Sequence, residues 1–329
     1  MIRRHTADLE AYHLYLQAQY YWTRRYAGFL AKAMEYYGRA IARDPQYALA
    51  HAGLANAYSV LGLYGAQAPI EAFPKAGAAA RRALELDPGL AEAHQAMAFV
   101  RWFFDWNWAE AERDFRQALT LDPASALTRA QLAVFLVTQG RAKEGLAEAL
   151  RARADEPLSL LVGYYSVLVV LYARQYDRGL QEARRIVELD PNFPLGAWVV
   201  GEALFRLGRY EEARSAAERA VALSNRPVFY LTLLGRVHAA LGHRDRAQAV
   251  MDDLLERSRQ GYVAPLHLAD IAMAVGDYDK AFEWLDRAVA DRNGFLGAIA
   301  VEATYDSVRS DPRFAALLVR IGLDTAVQF

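Results

Sequence analysis

The stretch Leu231–Gln260, LTLLGRVHAALGHRDRAQAVMDDLLERSRQ, reads as two helices and the turn between them. Leu231, Leu234, Gly235 and His238 recur at helical spacing. Gly242 then stops the helix, because glycine tolerates the left-handed conformation that ends helices. A second run places Ala247, Val250, Met251 and Leu254 three and four residues apart. The unit is a short antiparallel helical hairpin. Its small residues mark where the two helices approach closely.

This hairpin is one copy of many. Ala111, Gly145, Gly179, Ala213, Ala247 and Ala281 stand 34 residues apart, and each has almost no side chain. Ala118, Ala152, Ile186, Ala220, Leu254 and Ala288 follow at the same pitch, as do Pro123, Pro157 and Pro191. Gly208, Gly242 and Gly276 precede the last three small positions by five residues. A fixed period with several locked positions means one supersecondary unit copied along the chain. The proline cannot continue the preceding helix and suits the start of the next unit.

The small residue late in the first helix, the alanine opening the second and the closing proline resemble the tetratricopeptide repeat. The best single copy runs from His51 through Leu54, Ala55 and Tyr58 to Ala76, Ala83 and Pro88. The resemblance implies an all-α, right-handed superhelical solenoid of about eight tetratricopeptide hairpins over residues 9–293. Residues 294–329 are expected to form a C-terminal capping segment. There, Ser310 or Asp311 caps a helix, Pro312 takes its first turn, and Phe314, Leu317, Leu318 and Ile321 make one apolar stripe.

Composition agrees with an array. The chain has 329 residues, 54% of them hydrophobic, which is ample for a folded chain and too long for one compact core. A solenoid avoids that limit because each unit buries its face against its neighbours. The net charge of −1 and the absence of a lysine-rich run argue against a nucleic-acid surface. With no cysteine, disulfides and thiol chemistry are excluded. The N-terminus lacks the apolar core of a signal peptide. The longest apolar run, from Pro157 to Ala173, falls short of the about 20 residues of a membrane span and is in register as the first helix of the fifth unit. No membrane insertion is expected. The expected compartment is the cytoplasm, or the periplasm if the chain is excised from a membrane-anchored regulator.

Two departures break the period. Pro45 and Pro88 are 43 residues apart, so nine residues are added within GLYGAQAPIEAFPKA (residues 62–76). Gly62, Gly65, Pro69 and Pro74 predict a loop there, with Tyr64 and Phe73 covering the junction. The third unit carries one extra residue and the crowded run RWFFDWNWAEAERDF (residues 101–115). Asp105 or Asn107 is expected to cap its second helix. Trp106 and Trp108 are expected in the core, and Trp102 in the groove. These two segments, together with SVRSDPRFAALLVRIGL (residues 307–323), are similar to a bacterial subfamily in which such arrays form the C-terminal part of multidomain regulators. That likeness implies companions such as a winged-helix, serine/threonine kinase or adenylate cyclase domain. None is recognisable in the sequence, so a stand-alone member and an excised sensor region are the two alternatives.

No catalytic constellation accompanies the repeats. The seven histidines include no His-x-x-x-His pair, and His51 and His94, at one repeat position, are expected to pack in the core. Phosphate loops and a nucleophile elbow are absent, and the carboxylates sit on helix faces near arginines. No enzyme activity, cofactor or metal is expected.

The family resemblance implies that the second, fifth, ninth and twelfth residues of each first helix line a concave wall. Carried onto this chain, the wall includes Tyr15, Trp22 and Arg25 in the first unit and Asn56 in the second. Phe99 and Trp102 follow in the third, Tyr164 and Leu168 in the fifth, Trp198 and Phe205 in the sixth, and Phe229 and Arg236 in the seventh. The ninth position alone reads Trp22, Asn56, Phe99, Val134, Leu168, Glu202, Arg236 and Asp270. An apolar wall of this size marks a binding surface. Asn56 matches one residue of the clamp some members place on a peptide carboxylate, but Trp22, Phe99 and Val134 at equivalent positions argue against that clamp. The expected function is a non-catalytic scaffold that binds a protein or an apolar or mixed peptide in the groove, as the sensor part of a regulator. The alternatives are a small-molecule sensor that gates a separate output domain, and a homo-dimer that covers the wall.

Overall fold

A computed structural model describes residues 5–24, 28–64, 67–224 and 227–323. Arg25 and Gly65 lie outside the described residues. The described chain is all helical and has no strand. Eight hairpins follow one another. They are α1 (Leu9–Arg24) with α2 (Phe29–Arg43), α3 (Ala48–Leu63) with α4 (Pro69–Leu86), α5 (Ala91–Val100) with α6 (Trp108–Leu121), and α7 (Ala126–Thr138) with α8 (Ala142–Asp155). Then come α9 (Leu160–Tyr172) with α10 (Tyr176–Leu189), α11 (Pro194–Arg206) with α12 (Tyr210–Ser224), α13 (Val228–Ala240) with α14 (Arg244–Gln260), and α15 (Pro265–Val275) with α16 (Tyr278–Ala290). Two 3-10 turns, Gly294–Ala298 and Ala303–Val308, lead to α17 (Pro312–Arg320).

The small-residue track does what its spacing predicts. Ala111, Ala213, Ala247 and Ala281 are fully buried. A Cβ on Gly145 would come within 2.7 Å of the Ala133 carbonyl on the partner helix. Gly242 has φ +76°, the left-handed turn that ends α13. Past the exposed α1, first helices are buried on most sides: every residue of α9 from Leu161 to Tyr172 is buried. They are the inner layer of the array, whereas second helices such as α10 bury one stripe, Gly179, Leu180, Ala183 and Ile186. Among the described residues no helix is long and apolar enough to cross a membrane.

The structure corrects three expectations. The nine added residues do not form one loop but mostly lengthen both helices: α3 and α4 have 16 and 18 residues against 13 and 14 for α7 and α8, and α4 starts at Pro69 and takes Pro74 inside it. Pro74 forgoes one helical hydrogen bond. The neighbouring Phe73 ring is fully buried and stacks on Phe104 at 5.3 Å, which offsets that loss. The tryptophans of the third unit are reversed. Trp102 is 2% exposed, whereas Trp106 and Trp108 are half-buried. The extra residue explains this: it is absorbed by a π turn, Arg101–Asp105, which rotates the helix end before Asn107 caps α6. His51 and His94 are half-buried rather than core. Their Nε2 atoms lie 3.1 and 3.0 Å from the carbonyls of Pro45 and Pro88, tying each first helix to the turn before it. Arg129 makes the same tie to Pro123 in the fourth unit, at 2.7 Å.

At the C-terminus Asp311 accepts from the Arg313 amide, Pro312 opens α17, and Phe314, Leu317, Leu318 and Ile321 are buried against α15 and α16.

Candidate binding groove

The wall positions converge, but the wall is covered. Tyr64 of the second unit reaches across the bore to the fifth and seventh. Its hydroxyl is 3.4 Å from that of Tyr164, and its ring centroid is 4.9 Å from that of Phe229. Residues 294–308 then run along the inner wall of the later units. The Phe295 ring stacks on Phe229 at 5.8 Å. Glu302 accepts from Arg206 at 2.6 Å, and the Tyr305 hydroxyl donates to Asp270 at 2.6 Å. Arg174 donates two bonds to Asp306, each 2.7 Å. The segment also packs on the third unit, where a Cβ on Gly294 would meet Phe103 and one on Gly297 would meet Trp102. The residues flanking it are tied there too: Arg292 donates to the Phe104 carbonyl, and Trp108 Nε1 donates to the carbonyl of Gly322. The expected exposed aromatic track is therefore largely buried: Trp22, Phe99 and Trp102 by packing among the early units, and Tyr164 and Phe229 under Tyr64 and residues 294–308.

In the first half of the wall the predicted residues pack with neutral partners. Tyr15 is half-buried, accepts from Gln19 and lies against Tyr37 and Tyr47, while Trp22 is buried beside Tyr37 and Val60. Asn56 donates to Gln95 at 2.8 Å, and Gln95 donates to Gln131 at 2.9 Å, an amide ladder across α3, α5 and α7. Phe99 and Trp102 are buried in an aromatic cluster with Phe103, Phe115 and Phe135, where Trp102 stacks on Phe103 at 4.1 Å.

The second half differs. Tyr164, Leu168, Trp198, Phe229 and Arg236 line one chamber of about 90 Å³ under the C-terminal segment. Phe205 lies beside it, with the Arg236 guanidinium 4.7 Å from its ring centroid. Residues not singled out as site candidates also line it, among them Glu202, His267, Asp270, Glu302 and Tyr305. Arg236 donates to Glu202 at 2.6 Å, and both side chains are buried. The second Glu202 oxygen lies 3.5 Å from Arg206 Nε, an ion pair without hydrogen-bond geometry. Burial pushes the Asp270 carboxyl up to about 7, against the pull of Arg236 and the Tyr305 hydrogen bond. Burial also pushes His267 down to about 4, and its Nε2 has no hydrogen-bond partner. Burial opposes ionisation of Glu302 as well, but Arg206 and Arg236 outweigh it and hold the carboxyl below its ordinary value. The period does carry a signal for this chamber, since Glu202, Arg236 and Asp270 are consecutive ninth positions. Nothing local in the sequence marks Glu302 or Tyr305. Among the described residues no histidine or carboxylate cluster could hold a metal ion.

A tetratricopeptide-repeat family model matches residues 167–227 and 232–294. No curated protein matches the chain. Among solved structures, the human IFIT1 dimer with m7Gppp-AAAA is 18% identical, with 93% of this chain and 73% of that one covered and a TM-score of 0.60. Yeast Tom70 is 14% identical, with 97% and 69% covered and a TM-score of 0.53. The pilF protein of Pseudomonas aeruginosa is 23% identical, with 72% and 98% covered and a TM-score of 0.46. Identities this low speak to the fold alone, and the fold shared with the first two is a solenoid of helical hairpins.

Proposed function

Since the chain carries tetratricopeptide repeats, we propose that it is a non-catalytic binding module that takes a protein segment of apolar or mixed sequence along its concave wall. The reading extends to regulation: residues 294–308 occupy the later half of the wall until a partner segment displaces them. One observation carries it. The wall already holds a polypeptide, through an aromatic stack at Phe229 and polar contacts at Arg206 and Asp270. Aromatic anchors and charge-assisted bonds are the contacts by which such grooves hold partners.

The test is affinity purification with mass spectrometry on three forms of the full chain. Phe295→Ala loosens the segment and is expected to recover partners in larger amount than the wild type. Trp198→Ala combined with Phe205→Ala removes two wall rings and is expected to lose those partners while the helical circular dichroism is kept. Recovery of the same partners by a folded double variant would sink the proposal.

A further inference from the structure

Around the chamber between the wall and residues 294–308 the charges balance only while Asp270 holds its proton; ionised, it is one carboxylate in excess. Three carboxylates, Glu202, Asp270 and Glu302, face two guanidiniums, Arg206 and Arg236. Each guanidinium donates to a glutamate at 2.6 Å, while Arg206 Nε and Nη1 and Arg236 Nε have no hydrogen-bond partner. Asp270 has a neutral partner, the Tyr305 hydroxyl. The same chamber is lined by aromatic rings as well: Trp198 and Phe229 on the wall, Phe295 on the segment. Aromatic rings attract cations and do nothing for anions. An anion would meet three carboxylates, Glu202, Asp270 and Glu302, beside the one lining guanidinium, Arg236, whereas a cation would offset the charge of ionised Asp270. The chamber has a volume of about 90 Å³. An engineered apolar cavity of about 150 Å³ takes benzene, so this one has room for about four heavy atoms.

We propose that this chamber is a binding site for a small organic ammonium ion, held by Asp270 and enclosed by Trp198, Phe229 and Phe295. It goes beyond the groove reading and does not depend on it. Because Phe295 and Tyr305 belong to the C-terminal segment, the bound cation also fastens that segment to the wall. Binding requires ionised Asp270, which burial holds near 7, so affinity rises with pH across neutrality. The charged or titratable groups around Asp270 are Arg236 on α13, Glu202 and Arg206 on α11, Glu302 and Tyr305 on the segment, and His267 on its own helix. His267, held near 4, stays neutral throughout that range.

The experiment is a thermal melt and a calorimetric titration of the full chain with three probes of similar size. Isopropylammonium is the cation, isopropanol its uncharged counterpart and acetate the anion. Isopropylammonium is expected to bind at pH 8 and to raise the melting midpoint, with weaker binding at pH 6. Asp270→Asn is expected to weaken it at least tenfold. Ala298→Leu, which fills the chamber from the segment side, is expected to abolish binding while the melt stays cooperative. Equal binding of isopropanol or acetate, unchanged affinity in a folded Asp270→Asn variant, or unchanged binding in Ala298→Leu would each overturn the proposal. None of these results alters what Trp198 and Phe205 do in the partner-recovery test.

Discussion

At the ninth wall position the first four units carry Trp22, Asn56, Phe99 and Val134, while the last three carry Glu202, Arg236 and Asp270. The backbone places all seven alike, yet their surroundings differ. The early half is closed by neutral contacts, an aromatic cluster around Trp102 and the Asn56–Gln95–Gln131 ladder. The later half buries ions and is closed by a segment from the far end of the chain. Buried ion pairs contribute little net stability, because desolvation offsets much of the attraction. The early wall therefore serves as a structural spine. The later wall carries buried charges that folding alone does not need, which is in keeping with the regulated binding proposed there.

The sharpest way to break this contrast is Arg236→Ala. It leaves Glu202 buried with no hydrogen-bonded cation, a change expected to cost about 3–5 kcal/mol in urea unfolding. Replacing both partners, Glu202→Leu with Arg236→Leu, is expected to fall within about 1 kcal/mol of the wild type or above it, since no lone charge remains between them. A double variant as unstable as the single one would mean that the pair itself stabilises the fold. On the spine, Gln95→Leu strands the Asn56 amide and the Gln131 carbonyl, and a loss of about 1–3 kcal/mol is expected. An unchanged urea midpoint would show that the ladder is idle.

The smallest effect is in pH dependence. The folded value of Asp270, near 7, lies above its ordinary 3.8, so the folded state retains a proton that the unfolded state releases between those values. That contribution to stability is full below about 4 and is lost as pH rises through about 7. Asp270→Asn removes it. The wild type's stability relative to the variant is therefore expected to decline from pH 4 to pH 8 in urea titrations at each pH. A flat difference would place Asp270 in contact with water rather than in the chamber.

Much of this was legible before any coordinates. Ala111 to Ala281 and the terminating glycines give the hairpin, its pitch and its close approaches, because each depends on neighbours within one unit. The run from Pro157 to Ala173 reads correctly as the buried first helix of a unit, for the same reason. Five of the predicted wall residues, Tyr164, Leu168, Trp198, Phe229 and Arg236, meet in one chamber because the family register carries across units. The tryptophans of the third unit face otherwise than their sequence suggests, since a π turn changes which way a helix end faces without changing its composition.

By itself, the sequence determined the repeat, the small-residue seams and the order of side chains along the inner wall. Those features come from contacts between residues within about one repeat length. Only the tertiary structure decided that the bore closes. Tyr64 meets Tyr164 across 100 residues, and Glu302 meets Arg206 across 96. Such meetings depend on small rotations between units that add up over the array. No local pattern encodes that sum, so the segment that fills the groove and the chamber beneath it emerge only when the whole solenoid is wound.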